Sequence, residues 1–577
     1  MKRNEHPNPF LMRRNFQTLN GEWFFDFDDN QEFIKGNNLL NHSLSKKIIV
    51  PFAYQSEASG INDLTKHSHM LYEREFVLDK ALKGQNILLE FNAVDYEALV
   101  FLNGYFVGQH VGGYTNFKFD VTPFLKDGKN ILSVYVNDEY TPTQPRGKQY
   151  WEVGGSRCWY DSSSGIYQSV YLEGFNKDYL SHLKITPDVD KEEVEFELET
   201  AYHLAKKVSL KISFKGELVK DALISLNDDV TKFKLGIASN DYIDDLRLWS
   251  PENPNLYDVE LTLLDEEELD SIQTYFGFRK ISIDNNRILL NNVPLYQRLI
   301  LDQGYFKEGF LTASSHEEFK NDIILAKQMG FNGARKHQKI EDPYFYYYAD
   351  KLGFLVWAEF PSPYYFGYQE INNVTSQIQD VVLQLYNHPS IITWIPFNES
   401  WGIRKSLVDE KTKSFVRSIY YLIKSLDQSR LVDSNDGWEI ITDTDFIAIH
   451  DYSSTGDDFA DKYQFANINT IFPMWRRLMS YGEDGSNKPI LLTEYGGLST
   501  NSDLEGEQFY GYTIEKDVEG FYKRLKHMQE NINKCPFAGI CYTQLTDVRQ
   551  ERNGLLDINH KPKFDVERIR RIILNED

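Results

Sequence analysis

The sequence predicts a multidomain protein: an N-terminal β jelly roll, an immunoglobulin-like β-sandwich and a C-terminal (β/α)8 barrel. Three observations lead there. Strand-like segments with no sustained helical period fill the first 182 residues. Alternating apolar and polar residues continue to residue 279. Beyond 280, short apolar runs alternate with helix-like stretches. The boundaries read from these changes are 1–182, 183–279 and 280–577.

In the first segment, Asn86–Asn92 and Ala98–Leu102 are apolar runs, followed by Phe117–Val121 and Asn130–Val136. Asn103-Gly104, between Leu102 and Tyr105, has the composition of a two-residue hairpin turn, which needs positive φ at both positions. In the second segment, Val194–Leu198, Val208–Ile212 and Leu256–Leu261 alternate with period two, as half-buried strands do.

In the third segment, strand candidates lie near 295–301, 331–335, 354–359, 391–397, 430–434, 446–450, 490–493 and 538–543. Helix signals fall between them. Phe319, Ile323 and Ala326 form one apolar face, ended by Gly330. Asp342-Pro343 starts a second helix, closed by Gly353. Ile378, Val381, Val382 and Leu385 form a third stripe. Eight strands over about 280 residues match the size of a (β/α)8 barrel. A doubly wound open sheet is the alternative, but the first strand is not followed by a glycine-rich phosphate loop.

A formal charge of −24 argues against nonspecific binding to nucleic acid or anionic membranes. Aromatic residues make up 14% of the chain, which suits stacking on flat ligands such as sugar rings. The three cysteines, Cys158, Cys535 and Cys541, have neither disulfide-framework nor zinc spacing. No secretory leader is visible at the N-terminus and no apolar run is long enough to span a membrane, so a cytoplasmic protein is expected.

Two carboxylates stand out. Glu399 follows the apolar run Ile391–Phe397, and Glu494 ends Pro489–Thr493. Most of the 86 Asp and Glu residues must be solvated surface charge, so one such Glu alone says little. Two of them, ending the fourth and seventh strands of a barrel whose chemistry gathers at strand C-termini, say more. A pair delivered this way is what retaining glycoside hydrolysis requires: one protonates the leaving oxygen and the other attacks the anomeric carbon.

Motifs along essentially the whole chain resemble glycoside hydrolase family 2, the group of β-galactosidases, β-glucuronidases and β-mannosidases. Val94–Gly104, Gly112–Phe117 and Ser164–Glu173 resemble its sugar-binding jelly roll. Trp249–Tyr257 and Phe276–Arg279 resemble its middle sandwich and the passage to its TIM barrel. Trp394–Gly402 and Thr493–Gly496 resemble its acid/base and nucleophile segments, and Asn553–Leu556 with Lys561–Lys563 its C-terminal signature. The resemblance implies Glu399 as acid/base, Glu494 as nucleophile and Asn398 as the holder of the sugar 2-hydroxyl. It places Tyr452 beside the nucleophile, an acid in the region of Glu359, and Tyr542 where many relatives carry a platform tryptophan. Arg335 and Glu359, at strand ends, are expected to line the same substrate pocket, with Glu359 contacting sugar or positioning Arg335, and His450 is a candidate to bind a sugar hydroxyl.

Two stretches depart from the family pattern. Arg335-Lys336-His337-Gln338-Lys339 replaces a common Arg-x-Ser-His-Tyr-Pro, and Leu301–Phe306 replaces a histidine-rich segment. The Asn-x-Lys clamp of β-glucuronidases is not recognisable before Lys561. The expectation is therefore a retaining exo-β-glycosidase, with a β-galactoside as first substrate and another glycone (β-mannoside, arabinoside or, less favoured, β-glucuronide) as alternative. A carbohydrate-binding protein without catalysis is the rival from another class, and the presence of both glutamates speaks against it. No cofactor and no metal site are expected. The partner is a glycoside or oligosaccharide, with room for self-association into a homo-oligomer.

Overall fold

Asn103 and Gly104 both take positive φ, 53° and 85°, and join antiparallel strands in which Leu102 faces Tyr105. That hairpin is the edge of a six-stranded antiparallel sheet, which faces a four-stranded one. Trp23, Phe25, Leu89, Val100, Val134 and Leu172 fill the space between them. The computed structural model describes residues 5–35, 43–152, 154–237, 246–504 and 509–576.

The middle unit pairs a five-stranded sheet with a three-stranded one. Glu193–Thr200 shows why: every second side chain is buried, and Val194, Phe196 and Leu198 meet Leu210, Leu261 and Ile272 across the sandwich.

The eight barrel strands are β1 (Gln297–Asp302), β2 (Gly333–Lys336), β3 (Leu355–Glu359), β4 (Ile391–Ile395), β5 (Leu431–Val432), β6 (Ile447–His450), β7 (Ile490–Gly496) and β8 (Phe537–Thr543). All ladders between them are parallel, in the order β5-β4-β3-β2-β1-β8-β7-β6. The seam between β5 and β6 is bridged by the Asp445 amide on the Val432 carbonyl at 2.9 Å. Helices α1 (His316–Gln328), α2 (Pro343–Leu352), α3 (Tyr368–Leu385) and α4 (Glu410–Leu426) follow the first four strands. Asp342 caps α2 by accepting from the Tyr344 amide, and Gly353 ends it in the left-handed region. Among the described residues, no helix joins β5 to β6, and only a four-residue helix and 3-10 turns lie between β6 and β7. Every residue of β2, β3, β4 and β6 is buried, as expected for parallel strands covered on both faces.

The N-terminal unit lies against the barrel mouth. The Tyr160 hydroxyl donates to Glu551 at 2.6 Å, Trp159 Nε1 to the Tyr364 hydroxyl at 2.8 Å, and the Arg146 and Gly147 amides to the Ser362 carbonyl at 3.2 and 3.1 Å. The three cysteines carry free thiols. Among the described residues, no helix is long and apolar enough to cross a membrane.

Candidate functional site

The buried run of β4 ends at Ile395, and the chain turns sharply four residues later. Glu399 and Ser400 both take left-handed φ, 50° and 58°. This conformation costs a non-glycine residue roughly 1–2 kcal/mol. Two contacts hold it: the Glu399 amide donates to the Asp436 carbonyl at 2.8 Å, and the Ser400 amide to Asn435 Oδ1 at 3.0 Å. The turn aims the Glu399 carboxylate across the barrel at Glu494, the fifth residue of β7. One carboxylate oxygen from each, with a His450 ring nitrogen, lies within 4.8 Å of the others.

Beneath the pair lies a matched set of charges. Arg335 donates through Nε to Glu359 at 2.8 Å, through Nη1 to Glu494 at 2.9 Å and through Nη2 to Asn398 Oδ1 at 2.6 Å. Glu359 also accepts from His337 Nδ1 at 2.9 Å and Gln338 Nε2 at 2.5 Å. His450 donates from Nδ1 to Glu399 at 2.9 Å and from Nε2 to Asp436 at 2.5 Å. Asp436 receives the Thr493 hydroxyl at 2.6 Å. The Tyr452 hydroxyl donates to Glu494 Oε2 at 2.5 Å and accepts from the Thr543 hydroxyl at 3.1 Å, and its ring stacks on Tyr512 at 3.6 Å.

These contacts set the protonation states. Burial pushes the Glu494 carboxyl up, but His450, Arg335, His337 and the Tyr452 hydrogen bond outweigh it and leave it below its usual value. Burial pulls His450 down, yet Glu494, Asp436 and Glu399 hold it up at about 10. With both ring nitrogens on carboxylates, His450 is held as an imidazolium. Glycine at 437 permits this packing: its φ is 109°, and a Cβ there would stand 2.8 Å from His450 Nδ1.

The sequence-derived residues divide. Glu399, Glu494, Asn398 and Tyr452 converge on one pocket. Asn398 spends its oxygen on Arg335, and its Nδ2 has no partner among the described residues. Arg335, Glu359 and His450, expected near the sugar, lie beneath the carboxylates with no exposed side-chain surface and hydrogen-bonded to protein groups. They position the carboxylates and do not form the pocket wall. Tyr542 is not in the pocket. Period-two alternation along β8 turns Cys541 and Thr543 inward and Tyr542 outward, where its ring meets Tyr495 at 5.5 Å. Thr543, next to Tyr452, takes the inward place.

Sequence reading missed Asp436, His337, Thr493 and Tyr512. Asp436 had a signal, an acidic Asp-Ser-Asn-Asp-Gly run directly after β5.

Comparison with known proteins agrees with this layout. The family model for the sugar binding domain of glycosyl hydrolases family 2 matches residues 16–174, the family's central model matches 179–279, and its TIM barrel domain matches 281–573. A putative beta-glucuronidase of Formosa agariphila is 30% identical over 72% of this chain and 50% of its own length. A beta-galactosidase of Thermoanaerobacter pseudethanolicus is 27% identical over 65% of this chain and 50% of its own. The chain thus spans about half the length of these curated relatives. The solved structure of an uncultured Clostridium beta-glucuronidase superposes with a TM-score of 0.78 at 20% identity, covering 100% of both chains. With one family matched in the same order by all three models, and the barrel model alone running over more than half of the 577 residues, the chain belongs to glycosyl hydrolases family 2.

Proposed function

We propose that the protein is a retaining exo-β-glycosidase working by double displacement. The carrying observation is the approach of Glu399 and Glu494, with carboxylate oxygens within 4.8 Å. Retaining enzymes hold their two carboxyl groups about 5–5.5 Å apart, whereas inverting ones leave about 6.5–9.5 Å for a water.

Glu494, kept ionised by Arg335, His450 and Tyr452, attacks the anomeric carbon while Glu399 gives its proton to the leaving oxygen. The glycosyl ester that forms removes the negative charge of Glu494. Glu399 then takes a proton from the water that attacks the same carbon, releasing sugar with its configuration retained. Asn398 Nδ2 faces the 2-hydroxyl, where a hydrogen bond strengthens as charge develops on the ring. A 2-deoxy-2-fluoroglycoside tests this: it traps the ester, and peptide mass spectrometry finds the label on Glu494. A label elsewhere, or a product of inverted configuration, rejects the reading.

Two glycones remain in view. A β-galactoside follows from the sequence motifs and from the relative named beta-galactosidase. A β-uronide is favoured by the relative named beta-glucuronidase and by an unpaired lysine at the pocket. The domain boundaries we assign are 1–182, 183–279 and 280–577. Free thiols fit a reducing compartment, so we assign the enzyme to the cytoplasm.

A further inference from the structure

We infer that Lys148, carried by the N-terminal unit, is a substrate-binding residue of the barrel site whose ammonium group takes a carboxylate on the glycone, so that the preferred substrate is the β-glycoside of an acidic sugar. The inference rests on the retaining-glycosidase reading and adds the substrate class to it.

Lys148 lies in a segment clamped on both sides. The Gly147 amide donates to the Ser362 carbonyl at 3.1 Å, and the Lys148 carbonyl accepts from the Tyr160 amide at 2.8 Å. Gln149 Nε2 reaches Asp95 at 2.9 Å and the Tyr114 hydroxyl at 3.0 Å. Arg146 donates to Asp138 at 2.9 Å. From this backbone the side chain extends toward Trp401 of the barrel. The ammonium there stands 5.4 Å from the Trp401 ring and 5.5 Å from the Tyr160 ring. Trp401 follows Glu399 by two residues, and Tyr160 hydrogen-bonds Glu551.

Only 6% of Lys148 is exposed, yet its ammonium has no hydrogen-bond or ion-pair partner among the described residues. Other buried lysines of this chain are paired. Lys336 and Lys339 reach Glu341 at 2.9 and 2.7 Å, and Lys413 reaches Glu410 at 2.8 Å. Glu551, Glu494 and Glu399 lie near enough to Lys148 to hold its proton on against the effect of burial.

The other charges at the pocket have partners. Arg335 is matched by Glu359 and Glu494, and His450 by Glu399 and Asp436. Glu551 takes the Tyr160 hydroxyl. A substrate filling the pocket takes away the solvent access that Lys148 has, 6% of its surface. Stripping an ammonium of solvent costs several kcal/mol unless new acceptors replace the water. A sugar hydroxyl replaces the lone pairs alone. A carboxylate replaces the lone pairs and adds the opposite charge, and charge-assisted hydrogen bonds are roughly twice as strong as neutral ones.

The test compares wild type, Lys148→Met and Lys148→Arg on the 4-nitrophenyl β-glucuronide, β-galacturonide, β-galactoside, β-glucoside and β-mannoside and on the α-L-arabinoside. Wild type is expected to have its highest kcat/KM on a uronide. Lys148→Met should lose about 100-fold there, mainly through KM. Its loss on neutral glycosides should be at least about ten-fold smaller than on the uronide, and Lys148→Arg should recover part of the loss. Preference of wild type for a neutral glycoside overturns the inference and leaves the glycosidase reading standing. So does an equal loss on acidic and neutral substrates, which marks Lys148 as a packing residue or hydroxyl ligand. No turnover of any of the six glycosides overturns the glycosidase reading itself.

Discussion

Nη1 of Arg335 donates to Oε1 of Glu494 at 2.9 Å from a guanidinium with no exposed surface. The same group holds Glu359 and Asn398, so one side chain from β2 sets the positions of three others, from β3, from the turn after β4 and from β7. Its own charge is secure: burial pulls it down, but Asp436, Glu359 and Glu494 raise it well above its usual value.

Arg335 is therefore expected to matter for both rate and stability. Arg335→Met leaves Glu359 buried without its cation, and breaking a buried pair costs about 3–5 kcal/mol. The unfolding midpoint in urea should fall accordingly. Arg335→Lys keeps the charge but cannot reach Glu494 and Asn398 together. It should fold, with kcat lowered more than KM is raised. An Arg335→Lys enzyme with unchanged kcat would remove Arg335 from the positioning of the nucleophile.

Tyr452→Phe tests a single hydrogen bond. The hydroxyl stabilises ionised Glu494, so its loss raises the pKa of that carboxyl. The acid limb of the kcat/KM profile should move to higher pH, and the rate on its plateau should drop by about 10-fold to 100-fold. A limb that stays in place or moves to lower pH contradicts the role given to Tyr452.

His450 links stability to pH. Its folded pKa is raised to about 10, against about 6.5 for an unfolded histidine. The native state therefore holds the proton more tightly. The stabilisation this gives is complete below about pH 6.5, declines above it, and is lost once pH passes the folded value of about 10. Melting temperatures of the wild type measured from pH 6 to 10 should fall. His450→Gln should be less stable at pH 6 and should show a shallower fall across that range. Parallel curves for the two proteins would show that His450 does not titrate in this way.

The sequence exposed what is local and periodic. Eight apolar runs marked eight strands, and the residues just past two of them are the paired glutamates. Asn103-Gly104 marked its hairpin because the turn demands positive φ at both residues. Depth was harder to see. Arg335, Glu359 and His450 were placed near the site, but a strand end does not reveal whether its side chain lies on the wall or beneath the floor. Tyr542 was misread by one residue of β8, which in a strand exchanges inside for outside. The β5–β6 connection carries the acid Asp436 without a helix, so helical periodicity had nothing to report there. Lys148 was invisible for another reason. Its surroundings come from Tyr160 in its own unit and from Trp401 and Glu494 in the barrel, and no pattern in one segment encodes that meeting.

The two glutamates should respond differently to replacement. Glu494→Gln removes the nucleophile, so no glycosyl ester forms and turnover of every glycoside should stop. Glu399→Ala keeps the nucleophile and loses the proton donor. An aryl leaving group of low pKa needs little protonation, so formation of the ester should survive better than with an alkyl leaving group. Hydrolysis of the ester should then limit the rate, because nothing takes the proton from water. Azide needs no general base and is small enough to occupy the space of the missing carboxylate. It should restore turnover of the Glu399→Ala enzyme and yield a glycosyl azide of retained β configuration. Rescue of a Glu494→Ala enzyme to the α-azide, with Glu399→Ala left unrescued, would reverse the two roles. Unchanged turnover in both variants would place the chemistry elsewhere in the protein.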